Sequence, residues 1–187
     1  MNNPKPTTKS YVELLQDIKK GLIKIPKFQR EFIWDTKKTA ELLDSIIRGY
    51  PIGTFILWKT RTQMSSVKDL AGVKLPSTPK GDSVEYVLDG QQRLASLFVT
   101  IEGCSVQSAT SKKIIDYKNF YINLERDPDV YYESIVTDKK PKEKSVRIYD
   151  LLNETMNWFV SNYDKSLIPK LTEYQQKFKT YEFSTIV

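Results

Sequence analysis

Hydrophobic positions along this chain follow two periods, and each change of period marks an element. In SYVELLQDIKKG, Val12, Leu15 and Ile18 recur at helical spacing and predict a helix with those residues on one face, stopped by Gly21. A short β segment, LIKIP, follows. Ala40, Leu43, Ile46 and Ile47 repeat the helical period in TKKTAELLDSIIR, with Asp35 as its expected N-cap, Gly49 as its stop and Pro51 beyond. The β-branched and aromatic run GTFILWK, residues 53–59, predicts a strand.

From Arg61 to Ser83 the pattern is loop-like, with Pro76, Pro79 and Gly81. That is longer than a compact domain usually carries without a purpose, and both a substrate-facing lid and a variable insertion are open readings. VEYVLD, residues 84–89, predicts a strand, and QQRLASLFVTIEG a helix with Leu94, Leu97, Phe98 and Ile101 inward and Gly103 as its stop. FYINL, residues 120–124, predicts another strand. VRIYDLLNETMNWFVSNY and LIPKLTEYQQKF read as helices, and TYEFSTIV as a strand-like run. A strand needs a partner and normally a continuation, so the expectation is the N-terminal portion of a longer polypeptide.

Composition narrows the chemistry. The 187 residues are 40% hydrophobic, enough for an ordinary globular core. No stretch approaches the roughly 18 to 20 consecutive apolar residues of a membrane span. The start, MNNPKPTTKS, lacks the apolar centre of a signal peptide, so a cytoplasmic protein is expected. Cys104 is the one cysteine, which excludes an internal disulfide and a multi-cysteine zinc site. The absence of histidine excludes Ser-His-Asp and Cys-His catalysis and histidine-ligated metals within the chain. A net charge of +6 is compatible with phosphate-bearing partners, although the 29 basic residues are scattered among 23 acidic ones. The densest basic cluster, TDKKPKEK at 137–144, reads as a solvated loop.

The chemistry concentrates in YVLDGQQRLASLF, where Asp89, Gly90, Gln91, Gln92 and Arg93 stand at the point where strand gives way to helix. Such a junction aims backbone N–H groups and the positive end of the helix dipole at one place, which suits an anion. Gly90 permits close backbone approach or a positive φ. Arg93 offers a fork for phosphate oxygens, and Gln91 and Gln92 offer donors and acceptors for phosphate, sugar or an attacking water. Asp89 is ambiguous. It can cap the helix, which is worth about 1 kcal/mol, or it can hold Mg²⁺ through water or polarise a nucleophilic water. A second cluster, IPKFQREFIW, sets Gln29 and Arg30 after the first β segment among Phe28, Phe32 and Trp34. Two Gln/Arg clusters at strand ends are compatible with one convergent anion site. There is no GxxxxGK[ST] phosphate loop, and GYPIG has too few glycines for a dinucleotide fingerprint.

Taken together, IPKFQREFIWDTKKTAELLDSIIRGYPIGTFILW and YVLDGQQRLASL resemble the N-terminal domain of GmrSD-type modification-dependent restriction proteins, the DGQQR-motif family. That family is similar in turn to the ParB/sulfiredoxin superfamily. The resemblance is close over roughly residues 10–102 and loose beyond. It implies an α+β fold: a ParB/sulfiredoxin-like core of short mixed strands and helices over residues 1–125, carrying the QR and DGQQR motifs, and a mainly helical extension over 126–187. It also implies a regulatory domain of a bacterial anti-phage restriction system that binds and hydrolyses a nucleoside triphosphate with Mg²⁺. The nuclease would lie outside this chain, DNA would be reached through the full-length protein, and an oligomer is compatible with this arrangement. Carried over residue by residue, the resemblance puts Asp89, Gly90, Gln91, Gln92 and Arg93 at the phosphate and hydrolysis site. Gln29 and Arg30 would line the same pocket, with Ile52 and Gly53 touching the nucleotide from the turn into the second strand. It assigns no metal ligands. The sulfiredoxin cysteine motif is not matched, and an HNH nuclease centre is excluded by the lack of histidine. The alternatives are a non-enzymatic DNA-sensing module and a protein-interaction module in which the motif only organises the domain.

Overall fold

The computed structural model describes residues 4–26, 36–66, 69–70, 73–107, 113–125, 135–137 and 144–187. Gln29 and Arg30, with Phe28, Phe32, Trp34 and the expected cap Asp35, lie outside the described residues, as does 138–143 of the basic cluster. In chain order the elements are β1 (Pro6–Ser10), α1 (Tyr11–Lys19), β2 (Ile23–Lys24), α2 (Thr36–Ile47), β3 (Phe55–Thr60), β4 (Asp69–Leu70), β5 (Val73–Lys74), β6 (Val84–Asp89) and α3 (Gln91–Ile101). They continue with β7 (Ser105–Gln107), β8 (Ile114–Asp116), β9 (Phe120–Asn123), β10 (Ile135–Thr137), β11 (Ser145–Arg147), α4 (Ile148–Asn153), α5 (Met156–Asn162), α6 (Ile168–Lys179) and β12 (Glu182–Ile186).

The fold is α+β around a mixed sheet of order β1-β12-β3-β6-β2. β12 runs antiparallel to β1 and parallel to β3, β3 antiparallel to β6, and β6 parallel to β2. A three-stranded antiparallel sheet, β10-β9-β11, and the pairs β4-β5 and β7-β8 stand apart from it. Residues on both sides of position 125 share one sheet and one core, in which Leu43, Phe55, Val87 and Phe98 join Leu151, Phe178 and Phe183.

Local chemistry explains the elements and the places where they differ from expectation. α1 starts with a capping box: the Glu13 N–H donates to the Ser10 hydroxyl at 3.3 Å, and the Glu13 carboxylate accepts the Ser10 N–H at 2.8 Å. Tyr11, Leu14, Leu15 and Ile18 form its buried face, whereas Val12, expected inward, is 41% exposed. One residue past Tyr11, it sits about 100° round the helix from that face. β1 had no hydrophobic signal because PTTKS is a polar edge strand, fastened by a 2.6 Å hydroxyl pair between Thr7 and Thr185. VRIYDLLNETMNWFVSNY does not begin as helix. Val146 and Arg147 pair with β9, and the backbone is extended at Glu154 and Thr155, where Thr155 caps α5 through the Trp158 N–H.

The stretch 61–83 is tied down where it is described. The Met64 N–H donates to the Tyr86 hydroxyl at 2.6 Å, Ser66 bridges Pro26, and the Thr78 hydroxyl donates to the Gly21 carbonyl at 2.8 Å. No helix among the described residues is long and apolar enough to cross a membrane.

Candidate functional site

The β3–β6 pairing brings the two candidate segments together. Its register jumps between Ile56, opposite Asp89, and Leu57, opposite Val87. The turn that enters β3 therefore lies beside the turn that leaves β6 for α3. Arg93 fastens one to the other. Its Nη1 donates to the Ile52 carbonyl at 2.5 Å, and its Nη2 to the Thr54 carbonyl at 3.0 Å and the Asp89 carboxylate at 3.2 Å. The guanidinium lies over the ring of Phe55, 5.1 Å from its centroid, and Phe55 is fully buried.

Two glycines make this approach possible. Gly53 has a φ of +85°, and a Cβ there would stand 2.4 Å from Arg93 Nη1. Gly90 has a φ of +90°, and a Cβ there would stand 2.4 Å from Phe55 Cδ1. No other residue type satisfies both the conformation and the space.

The motif residues take positions that differ in part from expectation. Asp89 is not the helix cap: it is the last residue of β6, and Gly90, which has no side chain to offer, is the N-cap of α3. The Asp89 side chain is 65% exposed and meets Arg93 instead. Gln91 and Gln92 are buried, at 8% and 6% exposure, and both are engaged within the protein. The fork of Arg93, only 18% exposed, is directed at backbone carbonyls, so its positive charge stays between the turn and the first turn of α3. Ile52, Gly53, Asp89, Gly90 and Arg93 are thus brought together, while Gln29 and Arg30 lie outside the described residues.

The Ile52–Thr54 turn also lines an open cavity of about 820 Å³. Its remaining walls come from the end of α2 and from residues 177–184, where α6 gives way to β12. Tyr181 ties these walls together, its hydroxyl donating to the Tyr50 carbonyl at 2.6 Å. Burial raises the pKa of that hydroxyl, against a smaller opposite effect from the Ile52 N–H. Sequence reasoning missed Tyr181 and its neighbours because TYEF carries no motif. The signal available was only a polar and aromatic junction between a helix and a strand. No group of three or more His, Cys, Asp or Glu side chains that could hold a metal occurs among the described residues.

The family model described as the GmrSD restriction endonuclease, N-terminal domain, matches residues 11–186 of this chain. An uncharacterized protein of Methanocaldococcus jannaschii is 32% identical over 98 residues, covering 50% of this chain and 17% of that protein. The match thus spans less than a fifth of the relative's length.

Proposed function

Because the chain belongs to the family of GmrSD restriction endonuclease N-terminal domains, we propose that it is the nucleotide-binding, NTP-hydrolysing control domain of a modification-dependent restriction system. On this reading the nuclease is a domain or subunit beyond these residues, and DNA is engaged by the full-length protein. The observation that carries the reading is the Arg93 bridge, which joins the Ile52–Thr54 turn to the DGQQR turn with a glycine of positive φ on each side.

The triphosphate rests against the first turn of α3, where backbone amides and the helix dipole favour an anion. Gly53 and Gly90 let Arg93 and Phe55 close up against the backbone, and the charge of Arg93 lies beside the phosphates without leaving its carbonyl partners. Asp89, the exposed carboxylate, positions the attacking water and takes up its proton. The water oxygen bonds to the γ-phosphorus, the bond from that phosphorus to the β–γ bridging oxygen breaks, and nucleoside diphosphate and phosphate leave. Gln91 and Gln92 act as positioning residues, since both are buried at the start of α3.

The donor set fits Mg²⁺, which commonly takes one or two carboxylates, several waters and phosphate oxygens. Asp89 is the carboxylate that would hold it, through a bound water. When bound, the ion neutralises charge developing on the phosphate oxygens.

Phosphate release from a panel of nucleoside triphosphates, compared between wild type and Asp89→Asn, tests this function. The variant should bind nucleotide and lose roughly 10²-fold or more in turnover. Turnover by Asp89→Asn at the wild-type rate contradicts the mechanism. DNA binding with a steep salt dependence, and no hydrolysis of any nucleotide, would instead favour a DNA-sensing module.

A further inference from the structure

We infer that the cavity beside the Ile52–Thr54 turn takes the nucleoside end of the triphosphate, and that Glu182, on its far wall, reads the edge of the base. This rests on the nucleotide reading above and goes beyond it by assigning selectivity to the α6–β12 junction. Arg93 is bonded to the carbonyls of the turn, and the residues of the same turn line the cavity of about 820 Å³. That volume falls within the range of roughly 300 to 1,000 Å³ typical of small-molecule sites. The Ile52–Thr54 turn is common to Arg93 and to the cavity, so a nucleotide with its phosphates at α3 reaches the cavity past this turn.

The lining suits a flat ring with a polar rim. Pro51, Ile52 and Tyr181 supply apolar surface, while Thr180, Glu182 and Ser184 supply polar groups. Both cations on the lining already have carboxylate partners: Arg48 with Asp44 at 2.6 Å, and Lys177 with Glu173 at 3.0 Å. Glu182, by contrast, forms no ion pair among the described residues and is exposed. An ionised carboxylate only accepts hydrogen bonds, so it selects a base edge that presents N–H groups. The sheet fixes its position, since Glu182 opens β12 opposite Ser10, and the neighbouring Tyr181 is bonded to the Tyr50 carbonyl. The reading wall and the turn are thus held in one frame.

The test uses the whole chain, four nucleoside triphosphates and inorganic tripolyphosphate, each titrated with Mg²⁺ into wild type, Glu182→Gln and Ser184→Trp. Both variants should bind tripolyphosphate like wild type, because the α3 side is untouched. Glu182→Gln should bind the preferred nucleotide at least 10-fold more weakly and compress the differences among the four. Ser184→Trp, which fills the cavity, should lose nucleotide binding. Wild-type order and affinity in both variants overturn the inference and leave the nucleotide reading standing. If wild type binds neither tripolyphosphate nor any nucleotide, the nucleotide reading itself fails and the inference with it.

Discussion

Gly53→Ala perturbs the contact on which the candidate site is built. Gly53 has a φ of +85°, and an added Cβ would lie 2.4 Å from Nη1 of Arg93 and 3.3 Å from its Cζ. Holding an alanine in the left-handed region costs about 1–2 kcal/mol. Displacing the guanidinium also breaks its bonds to the Ile52 and Thr54 carbonyls. A hydrogen bond from a charged group contributes about 1.5–3 kcal/mol. The Arg93 side chain is 18% exposed, so water recovers part of this, and about 2 kcal/mol for the pair is a fair figure. The sum is about 3–4 kcal/mol.

Gly49 provides the control. Its φ is +70°, but an added Cβ would meet nothing within 4 Å, so Gly49→Ala carries the conformational cost alone. Gly53→Ala should therefore lose about 2 kcal/mol more, which lowers its urea midpoint by about 1 M further for an m-value near 2 kcal/mol/M. In an Arg93→Ala background the excess should vanish, because no guanidinium remains to be displaced. Equal midpoints for the two glycine variants, or an excess that survives without Arg93, would refute the reasoning.

Three further outcomes follow from the same geometry. Lys9 Nζ lies 2.7 Å from Asp17 and 2.8 Å from Glu85; burial opposes its charge, but these partners outweigh burial and hold its pKa above the ordinary 10.5. Their stabilisation is complete below the unfolded value and is lost as pH rises through the folded one. Lys9→Met should therefore cost about 2 kcal/mol at neutral pH and flatten the stability loss that wild type shows above about pH 10.5, read from denaturant midpoints. Ser10→Ala removes the α1 cap and should cost about 1 kcal/mol in the same assay. It should also return the Glu13 carboxyl, now lowered chiefly by its hydrogen bond from the Ser10 hydroxyl, towards its ordinary value in an NMR titration. Tyr11→Phe removes a buried hydroxyl that has no hydrogen-bond partner among the described residues, and should leave thermal stability unchanged or raise it by up to about 1–2 kcal/mol.

Strong periodicity made α1, α2, β3, β6 and α3 legible; α1, α2 and β3 each bury one face against the core, whereas α3 is buried all round except at Arg93. The strands that escaped notice bury little. β1 is polar, and both strands of the β7-β8 pair have exposed ends around one half-buried residue, so neither carries an apolar alternation. β11 was hidden because Val146 and Ile148 match a helical reading as well as a strand that turns into a helix. The insertion of β12 between β1 and β3 is a long-range pairing that no local pattern encodes. At the site, the motif DGQQR and its place between strand and helix were readable, as was the positive φ at Gly90. The partners of Arg93 were not. They are backbone carbonyls some 40 positions earlier, and backbone acceptors leave no trace in residue types. For the same reason Asp89 looked like a cap, when it is the end of a strand whose carboxylate meets the arginine one helical turn on.

On the proposed reading, the Arg93-bridged turns form a triphosphate site. A calorimetric titration of Mg²⁺–nucleoside triphosphates into wild type and Arg93→Ala, both shown to be folded by circular dichroism, tests it most directly. The predicted result is saturable binding of one nucleotide per chain by wild type, and a loss of at least 100-fold in affinity in the variant. Undiminished binding by a folded Arg93→Ala chain would contradict it.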